Sequence, residues 1–399
     1  MPSNSSWPSS SDDEEEMFFA NAVLRAGQIL IEEEEEDVSS ENVITRRIRI
    51  NRDRQGAHEK LVNDYFSDEP LYNDEIFRRR FRMSCRLFTR IANDLAGLDP
   101  FFMQRPDARN YEGFTTLQKC TAAIRQLAYG TVADALDEYL QMSARTTREC
   151  LYRFFHNVVK LYSKKYLRKP NSYDVQQLYQ AHEARHGFPG MLGSIDYLWI
   201  CHSFFGLPGS LNDLNVLYQS AIFTDVVNGT GPDTRFTVSG VEYRRGYYLA
   251  DGIYPSWSTI VKTIPYPEDE KRKKFAKRQE VARKDIERAF GVLQKKWAVL
   301  QQPARAFTPK RLRLCMYACI LLHNMIIEDE GRAICEYDEN TSIGNTVPVD
   351  PPQQDLNSFS LTNDFTHANL QQDLVEHIWN NVNIGDGDGD GDEDEDEDE

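Results

Sequence analysis

No apolar run in this 399-residue chain reaches the ~18 residues that a membrane span needs. The N-terminus, Met-Pro-Ser-Asn-Ser-Ser-Trp, lacks the basic and apolar regions of a secretory signal, so no such signal is expected. Cysteine is scarce. The seven residues stand at 85, 120, 150, 201, 315, 319 and 335, an odd and scattered set. That argues against a disulfide framework and for reduced thiols in the cytosol or nucleus. Cys315 and Cys319 lie one helical turn apart, but no second ligand pair follows them, which argues against structural zinc. No internal repeat stands out. What remains is 40% hydrophobic and 27% charged, enough for two to three domains with attached tails.

The net charge of −17 is unevenly distributed. Residues 1–41 hold twelve acids and one base, and residues 385–399 hold eleven acids and no base. The body between them therefore carries +5. A mildly basic body can meet phosphate, and the acidic tails can compete for the same surface.

The composition divides the chain into four parts. Residues 1–44 read as a disordered acidic tail, and residues 336–399 as a second one, with a short helix near Leu370 to Trp379. Residues 45–170 read as helical. Thr115 to Gln118 looks like a helix start, Ala133 to Leu140 a shorter helix, and Ser143 the cap of a third helix running to Tyr162. Three helices with a tight turn before the last predict a helix-turn-helix-type module, with Thr146, Thr147 and Arg148 at the start of the DNA-reading helix. An ordinary helical bundle is the alternative. Arg46, Arg47, Arg49, Arg52 and Arg54 form a basic run suited to nuclear import or phosphate contact, or a solvated face.

Residues 171–335 read as an α/β body. Met191 to Ile200 is a buried-strand pattern interrupted by Asp196. Phe236 to Val238 and Tyr247 to Asp251 are further strands, and Gly252 marks the exit of the second. Ala282, Ile286, Ala289, Phe290, Leu293 and Trp297 share a helical face, and Leu312 to Ile327 form a last apolar helix.

Three carboxylates stand out. Asp196 lies within an apolar strand, Asp251 ends another, and Glu287 borders an apolar helix face. A buried carboxylate is costly unless paired or metal-bound. Carboxylates converging from two strands and a helix make a hard oxygen site for Mg²⁺ or Mn²⁺. A structural role, such as a salt bridge from Arg283 or a cap, is the alternative. Lys273, Lys274, Lys277, Arg283 and Lys284 crowd before Glu287, where they would hold a DNA backbone or form an exposed helix face.

Several segments resemble the plant PIF/Harbinger transposase group and its domesticated nuclease relatives. They are RRRFRMSCRLFTRI (78–91), DPFFMQRPDA (99–108), LQKCTAAIRQLAYG (117–130), GFPGMLGSID (187–196), SFFGLPGSLNDLNVL (203–217), GYYLADGIYPSW (246–257), ARKDIERAFGVLQKKWAVL (282–300) and CILLHNMIIEDE (319–330). The resemblance implies an RNase H-like DDE endonuclease domain, α+β or α/β, behind an all-helical DNA-binding region. It implies a catalytic, metal-holding triad of Asp196, Asp251 and Glu287 with two Mg²⁺ or Mn²⁺ ions, a DNA substrate, a Myb-like DNA-binding partner protein and a nuclear location. It leaves room for an oligomer.

One departure matters. In the family, GSID is followed by Cys-Met-His-Trp and several tens of residues that include two strands. Here it runs directly into Tyr197-Leu198-Trp199-Ile200. Loss of ~15 buried side chains at ~1.5–3 kcal/mol each exceeds the stability of a typical domain. Asp196 then follows the path of the first strand or of the third, and only one path brings it near Asp251. Asp251 and Glu287 are expected to converge. The competing readings are a metal-dependent endonuclease, a catalytically inactive DNA- or chromatin-binding derivative, and the product of a decayed element or misjoined gene.

Overall fold

The structure is a computed structural model and describes residues 50–106, 110–168, 170–193, 200, 214, 217, 234–302, 308–331 and 364–381. Both acidic runs, the Arg46–Arg49 cluster and Asp196 lie outside them. Among the described residues, no helix is long and apolar enough to cross a membrane. Backbone contacts group the chain into two units, each discontinuous in sequence. The first takes in Met1–Lys169, Tyr197–Ile222 and Ile286–Thr341, and the second Pro170–Asp196, Phe223–Asp285 and Ser342–Glu399.

The first unit is helical. Its elements are α1 (Arg54–Tyr65), α2 (Asp74–Phe81), α3 (Cys85–Leu98), α4 (Thr116–Tyr129), a 3₁₀ turn (Ala133–Leu136), α5 (Asp137–Leu140) and α6 (Ala144–Tyr166). The last part of α8 (Glu270–Lys296), a 3₁₀ turn (Ala298–Leu300) and α9 (Pro309–Asp329) complete it. The expected helix starts are real caps. Thr115 and Gln118 form a reciprocal capping box, and Ser143 accepts from the Thr146 amide. Helix α6 runs through the core, burying Cys150, Phe154, Phe155 and Val158 against α4 and α9. Its last carbonyl, that of Tyr166, would be an orphan but accepts from Asn324 Nδ2 at 3.0 Å. The Asn324 amide also bonds the Ile200 N–H (3.0 Å) and C=O (2.9 Å).

The second unit holds α7 (Ser172–His186), β1 (Met191–Gly193), β2 (Phe236–Val238), β3 (Val241–Tyr243), β4 (Tyr247–Ala250), β5 (Ile260–Lys262), most of α8 and α10 (Asp364–Asn381). Strands β1, β4 and β5 form a parallel sheet with β4 in the middle. Leu249 pairs with Val261 and Ala250 with Lys262. Strands β2 and β3 form a hairpin closed by Ser239 (φ 51°) and Gly240 (φ 80°). Positive φ at both loop positions matches the twist of the flanking strands. The fold is therefore mixed and helix-rich with a small parallel sheet. Of the strand expected from Met191 to Ile200, the described part is β1, and residues 194–199 lie outside.

Part of the segment read as an acidic tail is structured. Leu370, Leu374, Val375 and Ile378 recur at helical spacing, and all four are buried with β4, β5 and α8 residues. Helix α10 also closes the open edge of the sheet. Its His367 Nδ1 lies 2.8 Å from the Ile260 carbonyl, and Gln371 Nε2 donates to the Lys262 carbonyl at 2.8 Å. An edge strand leaves such carbonyls unpaired unless another element covers them.

Candidate active site at the end of β4

Asp251 is the first residue after β4, at the carboxyl end of the central strand of the parallel sheet. The chain turns there at once. The Asp251 carbonyl accepts from the Tyr254 amide at 3.3 Å, and its Oδ1 accepts from the Gly252 amide at 2.5 Å. Its Oδ2 faces Arg283 Nη2 of α8 at 3.6 Å. The Asp251 side chain is 43% exposed, so this carboxylate is open to a ligand from solvent.

What holds α8 at this strand end is Gln279, which the sequence reading missed. It is fully buried, and its Nε2 donates to the carbonyls of Ala250 (3.2 Å) and Val261 (3.0 Å). One amide thus pins the helix to the two neighbouring parallel strands just before Asp251. The signal was in the sequence: Gln279 sits one turn after Phe275 and before Ala282, a polar residue in a buried stripe. Farther along, Ala289, Leu293 and Trp297 are buried as expected, whereas Phe290 is exposed.

The predicted residues fall into distinct settings. Asp196 lies outside the described residues. Glu287 is in α8, four positions after Arg283, and its side chain is likewise outside. Lys273 is exposed and pairs with Glu270 at 2.8 Å, and Lys284 with Glu280 at 3.5 Å. Lys277 is exposed. Lys274 instead leans on α10, its Nζ 5.4 Å from the centre of the Trp379 ring. In α6, Arg148 is exposed, and Thr146 Oγ1 lies 3.0 Å from Ser143 Oγ. Thr147 is buried, and its hydroxyl donates to the Ser143 carbonyl at 3.1 Å. It therefore stabilises the first turn of α6 from inside the core, and nothing external can reach it there.

Among the described residues, no three His, Cys, Asp or Glu side chains cluster as a metal site would require. Of the three carboxylates expected to form a triad, Asp251 is the one whose side chain is described. Its chemistry fits a hard divalent cation: an ionisable oxygen donor, exposed, held from behind by a backbone N–H.

Residues 196–334 match the family described as plant transposon protein. The match supports a plant transposon-derived, transposase-derived chain. It begins at Asp196 and takes in Asp251 and Glu287. Residues 58–96, from α1 to α3, match a domain of unknown function. No curated protein and no solved structure matches the chain.

Proposed function

We propose that this chain is a PIF/Harbinger-type, transposase-derived DNA endonuclease of RNase H-like fold, acting in the nucleus on DNA. The observation that carries the reading is the placement of Asp251 at the carboxyl end of the central parallel strand, with a basic helix locked against it through Gln279. Ligand sites of open parallel sheets gather at that end. Strand β1 runs parallel beside β4, and Asp196 is the third residue after β1 in the sequence.

In this reading Asp196, Asp251 and Glu287 hold Mg²⁺ or Mn²⁺. When bound, two such ions neutralise phosphate and lower the pKa of the attacking water. The protein supplies the rest. Arg283 balances the charge of the Asp251 carboxylate while no metal cation is there, and Lys273, Lys277 and Lys284 offer cations to the DNA backbone along α8. Arg148, exposed at the start of α6, offers a further contact in the helical unit. A Myb-like partner would supply target choice. The fused GSID–Tyr197 junction favours a second reading, in which the chain binds DNA without cutting it.

The test is nicking of supercoiled plasmid by the full chain in Mn²⁺, with Asp251→Asn and Glu287→Gln as controls. Cleavage lost in both variants supports the nuclease. Retained duplex binding with no cleavage by the parent chain selects the binding module. Absence of both cleavage and binding overturns the proposal.

A further inference from the structure

Helix α10 packs along the basic helix α8. Two contacts set its direction. Lys271 Nζ of α8 holds both carboxylate oxygens of Glu376 (2.9 and 2.7 Å), and Lys274 Nζ reaches the Trp379 carbonyl at 3.4 Å and covers its ring. Partners advance by three positions on both helices. The two helices therefore run in the same sense at this contact, and α10 points along α8 towards Lys277, Arg278, Arg283 and Lys284. It ends at Asn381, two residues after Trp379. Residues 385–399, with eleven acids and no base, follow almost at once.

We propose that residues 385–399 dock on the α8 face formed by Lys273, Lys277 and Lys284 and extend to the Asp251–Arg283 corner. Charge and length both fit. Residues 271–284 carry eight bases against one acid, Glu280. From Lys271 to Lys284 the helix is about 20 Å long at ~1.5 Å per residue. The eighteen residues after Asn381 can span up to about 60 Å when extended. The tether is short, so the local tail concentration is on the order of millimolar. The pairs of Lys273 with Glu270 and of Lys284 with Glu280 are exposed within-helix contacts that exchange easily. The Gly-Asp alternation lets the segment follow the helix without a core of its own. The docking stands on the α8–α10 geometry. Its consequence, that the tail imitates a phosphate backbone and competes with DNA, rests on the function proposed above.

Two measurements separate these claims. Zero-length carbodiimide coupling of the dilute, full-length monomer, mapped by mass spectrometry, reads the docking without DNA. Tail carboxylates should couple chiefly to Lys273, Lys277 and Lys284, with a yield that falls several-fold in 0.5 M salt (about a 4–5 Å Debye length). Coupling absent, or spread equally to Lys60, Lys160 and Lys310, overturns it. The second measurement compares the full chain with one ending at Ile384 for binding to a random 20-base-pair duplex. The shorter chain should bind about tenfold more tightly at low salt, with the gap closing as salt rises. Equal affinities overturn the competition. If neither chain binds, the DNA reading of α8 fails while the coupling map still decides the docking.

Discussion

Arg283 Nη2 stands 3.6 Å from Asp251 Oδ2, so a cation of α8 meets the carboxylate that ends β4. The contact is long and partly exposed, and it is worth at most about 1 kcal/mol of stability. Its importance is therefore local. Removing the guanidinium should leave the fold intact while taking away a charge that opposes a second cation. We expect Arg283→Ala to tighten Mn²⁺ binding a few-fold in calorimetry, with Arg283→Lys intermediate. Asp251→Asn should weaken that binding by at least about a hundredfold. Identical Mn²⁺ isotherms for the parent, Arg283→Ala and Asp251→Asn would remove Asp251 from the metal site.

Helix α10 is expected to be integral to the second unit. Leu374 is fully buried in the cluster that includes Val261, Phe275 and Leu249. Leu374→Ala should cost about 2–5 kcal/mol, because the site cannot collapse around the lost atoms. Hydrogen exchange of β4 and β5 should accelerate in parallel. A variant in which those amides stay as protected as in the parent would show that α10 adds nothing to the sheet.

Asn324 is expected to be intolerant of change. It is buried and bonds the Tyr166 carbonyl and both backbone groups of Ile200. Asn324→Ala would strand three polar groups, and each unsatisfied group costs about 1–3 kcal/mol. Denaturant unfolding of the first unit should show a loss of about 3 kcal/mol or more. A loss below ~1 kcal/mol would mean that water replaces the amide.

The acid limb of stability should carry a contribution from Asp137. Arg52 donates to it through two nitrogens (2.8 and 2.5 Å), and this bonding holds the carboxyl below the usual range against a smaller opposing effect of burial. A depressed carboxyl contributes stability that is fully present above its unfolded pKa of ~3.9 and is lost as pH falls through the lower folded value. Arg52→Ala should therefore lower Tm most at neutral pH, with the gap narrowing below pH ~4. A gap that is constant from pH 7 to pH 2 would show that the pair is not titrating.

Local signals carried much of this structure. Thr115, Ser143 and the apolar spacing around them marked α4 and α6, because caps and helical periodicity act within a few residues. The strand ending at Asp251 was legible for the same reason, as was the Leu370–Trp379 helix. Other features depended on partners distant in sequence. Thr147 read as a DNA-contacting residue at the start of its helix, and only packing of α6 through the core placed it inside. Gln279 was one polar residue in a stripe until two parallel strands offered it their carbonyls. An acidic segment became a fixed edge of the second unit because β5 left carbonyls and apolar surface to cover. The sequence by itself determined the caps of α4 and α6, the strand that ends at Asp251, the charge blocks and the candidate carboxylate of Asp251. Only the tertiary structure decided that Arg283 faces that carboxylate and that α10 runs along α8, since both depend on how separate elements meet in space.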